Sequence, residues 1–291
     1  MVMRAHIQRW MMSCYVARNG RSRQLFLCAV YLWFLMQALW LTPIQDLLWG
    51  GQNIFYRHGF DDGILQNVIY RLVYDPTLFP WIWWTHVIAC IASCVPRVWA
   101  AIPRILVWLT GWMLYYAAYR VFNSGMLLML LLACYGIFMH PNSKNTWLIL
   151  TTNLFAGLCM FQIVWVYFSS AIYKWLGTQW VNGSAIYYAL NIDRFNDYSL
   201  DWSIGWICVC TMVMTWLVLL FQTLFPVLIW VKSWKKTMLW FGVLLHIGVG
   251  VFLHLWDFAL AMLAAYTLFL NDEDWSAFMK RFRGRITSTR E

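Results

Sequence analysis

Between Lys144 and Lys174 the chain carries no charged side chain, and none occurs between Asp201 and Lys232. Runs of this length exceed the roughly 20 residues that a helix needs to cross a bilayer. They are apolar all round, whereas a membrane β-barrel alternates apolar and polar positions over strands of about ten residues. The pattern therefore predicts an all-α, polytopic integral membrane bundle. Composition agrees: 62% of the 291 residues are hydrophobic and 11% are charged, where soluble domains carry about 25% charged residues.

The net charge of +9 does not mark a nucleic-acid binder, because the basic residues gather at the two ends and in one loop. That distribution is the one that sets membrane orientation. Arg4, Arg9, Arg18, Arg21 and Arg23 precede the first apolar run. No small-residue cleavage site follows that run; "LWLTPIQDLLW" does, so the first span reads as a retained anchor. The eight Cys include "CIASC" and "CVC" within apolar runs but no paired CxxC motif. They read as packing residues, and no metal site is expected.

Eight spans are expected, at about 25–42, 80–95, 103–119, 126–140, 148–176, 205–231, 237–255 and 257–271. The chain then comprises a basic N-terminal segment (1–24), one transmembrane domain (20–271) and a basic tail (272–291). Basic residues mark the cytoplasmic side of a membrane protein. Both termini and the loop around Lys232, Lys235 and Lys236 fall there, with Arg97, Arg104 and Lys144. The outer loops hold Asp61, Asp62, Asp75, Asp193, Asp197 and Asp201. Lys174 is the one lysine at the outer side; the expected setting is a cytoplasmic (inner) membrane, with polar chemistry near the outer face.

Ionisable groups inside spans are rare and mark function or interhelical bonds. They are His86, Lys174, His246, His254 and Asp257. Lys174 shares a helix face with Ser170 and Tyr167 at spacings of four and seven. Two readings stand. A dry pocket disfavours the charged ammonium and leaves an amine able to act as base or nucleophile. Alternatively the ammonium snorkels to the interface among the belt aromatics Trp175 and Trp180. In "GVLLHIGVGVFLHLWDF" the residues Gly242, His246, Gly250 and His254 recur every four positions, so His246 faces a close neighbour. His86, alone among tryptophans, reads as structural. Asn182-Gly183 signals a turn after the lysine.

The stretch "YFSSAIYKWLGTQWVNGSAIYYAL" resembles the central signature of the HTTM family, the transmembrane domain related to vitamin K-dependent γ-glutamyl carboxylase. The matching residues are Tyr167, Ser170-Ala171, Lys174, Trp180, Gly183 and Ala185. "RVFNSGMLLMLLL" resembles the family's entry into the preceding span. "FQTLFPVLIW", a basic loop and "LLHIGVGV" resemble its late segment. The resemblance implies Lys174 as the base toward reduced vitamin K or another quinol, His246 as an orienting or charge-stabilising group, and Tyr167, Ser170 and Trp180 as the cofactor's surroundings. It implies membrane lipid and an exported peptide as partners. Two departures stand out: Gln222 occupies the place of an expected acid, and Lys174 lies between Tyr173 and Trp175 rather than beside a second lysine. The family also includes membrane factors that mature sporulation-delaying peptide toxins, so a non-catalytic maturation factor is the second expectation. A lipid- or quinone-binding protein without turnover is the third.

Overall fold

The computed structural model describes residues 16–17, 19–51, 54, 63–95, 100–192, 205–277 and 279–280. Outside them lie Arg4, Arg9, Arg18, Arg97, Arg281, Arg283, Arg285 and Arg290, and the acidic Asp61, Asp62, Asp193, Asp197 and Asp201. Among the described residues every regular element is a helix, as the apolar runs predict. Among the described residues four stretches are long and apolar enough to cross a membrane: Gly20–Leu48, Thr146–Trp175, Gly205–Leu228 and Lys232–Leu253. The other four expected positions also carry helices, of 15, 17, 14 and 11 residues. The chain divides into two compact units: Met1–Cys159 with Thr267–Glu291, and Met160–Tyr266.

The first unit is built from α1 (Gly20–Leu41), α2 (Gln45–Leu48), α3 (Ile64–Val73), α4 (Phe79–Ser93), α5 (Ala101–Ala117), α6 (Ser124–Ile137) and the opening turns of α7 (Thr146–Trp175). Pro43 opens a 3-10 turn after α1, and Pro80 sits in the first turn of α4. Both are positions where a missing N–H costs no helical bond. Asn123 caps α6 by accepting the Gly125 N–H at 2.7 Å.

Several buried polar side chains of this unit are bonded to main chain. The Trp49 indole N–H donates to Leu114 O at 2.9 Å, and its ring packs on Phe79, Trp83 and Phe122. Tyr31 donates to Ala133 O. Glycine at 136 admits the Tyr31 hydroxyl, which would lie 2.8 Å from an added Cβ. Arg104, expected on the cytoplasmic side, is buried within α5. Its Nη1 donates to Gly136 O at 3.1 Å and Met139 O at 2.5 Å, and the guanidinium lies over the Tyr31 ring. It thus satisfies carbonyls at the end of α6, where a positive charge is favoured by the helix dipole.

The start of α1 is closed from far along the chain. Asn19 is left-handed and gives no side-chain cap. Asp272 accepts the Arg21 and Ser22 N–H groups at 3.2 and 3.4 Å, Ser22 Oγ donates to Leu270 O, and the Trp275 indole donates to Ser22 Oγ. The first residues of the expected basic tail are therefore an anchored part of the first unit.

The second unit holds the later turns of α7 with α8 (Thr178–Val181), α9 (Ala185–Leu190), α10 (Gly205–Leu228), α11 (Lys232–Leu253) and α12 (Trp256–Tyr266). The turn signal at Asn182-Gly183 is real: Gly183 has φ 84, and a Cβ there would press on Met212 and Trp216. The α9 start is pinned to α10 through Ile186 N–H to Thr215 Oγ1 at 3.1 Å. The expected glycine stripe on α11 is buried at Gly242, His246 and Gly250. His254 does not continue it; it ends the helix in a left-handed conformation, φ 54. An added Cβ at Gly242 would lie 2.7 Å from Tyr266 ring carbons, and one at Gly250 2.6 Å from Trp256. Glycine on this face is what lets α11 and α12 close into a hairpin.

Two stability changes follow. Arg104→Met keeps the apolar stem but strips two carbonyls of a charged donor, and destabilises by roughly 1.5–3 kcal/mol. Asp272→Ala removes the cap of α1 at a cost of about 0.5–2 kcal/mol. Unfolding of the purified chain in mixed micelles measures both, with wild type as reference.

Candidate functional site

Lys174 lies one residue before the end of α7, on the part of that helix that belongs to the second unit. The i, i+4 spacing places Ser170 beneath it, and the Lys174 ammonium donates to Ser170 Oγ at 2.6 Å. Ser170 Oγ in turn donates to Gln222 Oε1, from α10, at 3.1 Å. Hydrogen bonds thus run in one direction: ammonium to hydroxyl to amide oxygen.

The other side of Lys174 is aromatic. After α7 the chain turns at Gly177, whose carbonyl accepts the Trp180 N–H at 3.0 Å. That turn places the Trp180 ring 4.6 Å from Lys174 Nζ, within cation–π range. Trp175, the other expected belt aromatic, donates to Thr223 Oγ1 at 2.9 Å and so ties the end of α7 to α10. Among the described residues no carboxylate bonds Lys174. Its partners are a neutral hydroxyl and a π face, and an ammonium has three N–H groups of which Ser170 takes one.

Tyr167 and His246 form a different group. The Tyr167 hydroxyl is 2.6 Å from His246 Nε2 and also bonds the Tyr266 hydroxyl. All three side chains are buried. Phe225 packs on Tyr167 at 4.2 Å between centroids, and Phe258 meets the imidazole edge-on at 5.5 Å. His246 Nδ1 is buried without a partner. Either direction of proton donation through the two tyrosines leaves it so.

No family model, curated protein or solved structure matches the chain. The geometry therefore decides what the resemblance-derived residues have in common. Lys174, Ser170 and Trp180 come together. Tyr167 and His246 come together as well, but Tyr167 is seven residues from Lys174, a rise of about 10 Å along the helix. The spacing correctly places Tyr167 and Lys174 on one face, and the two positions serve two separate clusters.

Two participants come from other helices. Gln222 is the acceptor that ends the Lys174 chain, where the resemblance leads one to expect an acid. Tyr266 completes the Tyr167–His246 cluster and is absent from the sequence reading. Its one signal is a phenol in the apolar run of α12, which must find a partner when buried.

The α11–α12 contact gives a test with an internal control. Gly242→Ala forces its Cβ into Tyr266 and destabilises by about 1–3 kcal/mol. Gly248→Ala on the same helix meets only Phe252 at 4.0 Å, so it is neutral or stabilises by about 0.5–1 kcal/mol through helix propensity. Thermal unfolding of the two variants checks the ordering.

Proposed function

We propose that this chain is an eight-span integral membrane protein of the carboxylase-like HTTM type, with both termini cytoplasmic, in which Lys174 acts as a base near the outer face. The observation that carries the reading is the setting of Lys174: a hydroxyl below it, the Trp180 face beside it and no carboxylate among its described partners. A lysine paired with an acid is held as an ammonium; one without such a partner is open to work as an amine.

The residues fit a quinol. Ser170 and Trp180 hold Nζ in one place, so the amine is positioned before a ligand arrives, which is what general base catalysis requires. Gln222 anchors Ser170 without adding charge. A reduced quinone, when bound, would supply the reactive oxygen chemistry that the family resemblance implies. Lys174 Nζ would take the hydroxyl proton. His246 is assigned a positioning role, exerted through the Tyr167 hydroxyl rather than at Lys174 itself.

One observation favours a second reading. A hydroxyl and an indole face also suit a permanently protonated ammonium, as in a non-catalytic factor for maturation or export of a secreted peptide. Substitution separates the two. Lys174→Arg abolishes a base, because guanidinium stays protonated, yet preserves a cation–π and hydrogen-bonding anchor. Gln222→Glu supplies the missing counter-charge and silences a base while keeping the fold.

The experiment is mass spectrometry of quinones co-purifying with wild type, Lys174→Ala and Lys174→Arg in mild detergent. A stoichiometric quinone in wild type that is lost in Lys174→Ala supports the base. Phospholipid alone in all three samples overturns it in favour of the anchor.

A further inference from the structure

The first unit contains a cavity with room for about one water, walled by Trp49, Trp83, Phe122 and Met126 and bordered by Gln37 and His86. It belongs wholly to that unit and shares no residue with the Lys174 cluster. Its polar groups define what it can hold.

His86 is 3% exposed. Its Nδ1 is 2.7 Å from Thr110 Oγ1, and Thr110 Oγ1 is 2.6 Å from Leu106 O. The threonine has one hydrogen, and the carbonyl takes it. Nδ1 must therefore carry the proton of the neutral imidazole and donate it to Thr110. That leaves Nε2 as a bare acceptor. The ring is held in place by the Phe34 edge at 5.9 Å, and Gly111 keeps the space beside its Cε1 open.

Three further facts narrow the guest. The Trp49 indole N–H is already bonded to Leu114 O. The Trp83 indole N–H and the half-buried Gln37 amide make no hydrogen bond to the described residues, and both side chains line the cavity. No Lys, Arg, Asp or Glu lines it, so an ionic guest would be held without a counter-charge, at a cost of several kcal/mol. An acceptor beside unused donors matches a group that both donates and accepts, which is a neutral hydroxyl. The limited space admits the tip of an unbranched chain and excludes a ring.

We infer that this cavity is a binding site for the hydroxyl end of a neutral, unbranched lipid alcohol. The hydroxyl donates to His86 Nε2 and accepts from the Gln37 amide. The carbon chain leaves past Gln37 on α1.

The test uses the full chain in phosphatidylcholine nanodiscs, whose lipid has no free hydroxyl, with a diazirine-bearing long-chain alkanol as photolabel. Adducts are mapped by peptide mass spectrometry. Labelling is expected on the peptides that carry Trp49, Trp83 and Met126. 1-Decanol should displace it about tenfold better than decane or decanoate, as two neutral hydrogen bonds would provide. His86→Phe and Gln37→Leu should each abolish the preference for the alcohol. If His86→Phe does not fold, Gln37→Leu decides, because its side chain is only half-buried. Labelling spread over the lipid-facing helices, unchanged in Gln37→Leu and displaced equally by decane, would overturn the assignment and leave a cavity that holds water.

Discussion

A polar atom shut away from water has to be bonded by the chain itself, and each one left unbonded costs about 1–3 kcal/mol. Inside a protein this apolar, that constraint dictates most of the side-chain structure. Arg104 bonds the open carbonyls of α6, Trp49 bonds Leu114, Tyr31 bonds Ala133 and Ser170 bonds Gln222. Each bond joins segments distant in sequence. The same groups that would be a liability alone thereby fix which helices are neighbours and in what register, a task that apolar contacts alone leave loosely defined.

Lys174 and His246 show two outcomes of that constraint. Lys174 is supplied with a hydroxyl and a ring, and retains donors beyond those two contacts. His246 is bonded through one nitrogen only and keeps an unsatisfied one in the interior. Glycine makes the second arrangement possible: the approach of Tyr266 to α11 needs a residue without a side chain at 242. The histidine cluster is accordingly as much a product of backbone proximity as of its own chemistry.

Much of this could be read from residue order, wherever the deciding relation is local. Apolar runs predicted the helices. Spacing of four predicted Lys174 on Ser170 and the buried face of Gly242, His246 and Gly250, and Asn-Gly predicted the turn at 183. What stayed out of reach depended on partners distant in sequence. A count of basic residues does not distinguish a guanidinium facing water from one bonded to the end of a helix, as Arg104 is. Tyr266 was missed because its partner stands on α7, 99 residues away. Periodicity puts Tyr167 on the face of Lys174 and says nothing about its height along that face.

The cap on α1 has a consequence for how the molecule is assembled. The residue that satisfies the first turn of α1 lies some 250 positions downstream, and the whole second unit is encoded in between. During synthesis α1 is made before the second unit, yet its opening N–H groups wait for Asp272 while that unit emerges. The first unit is thus begun before the second and sealed after it.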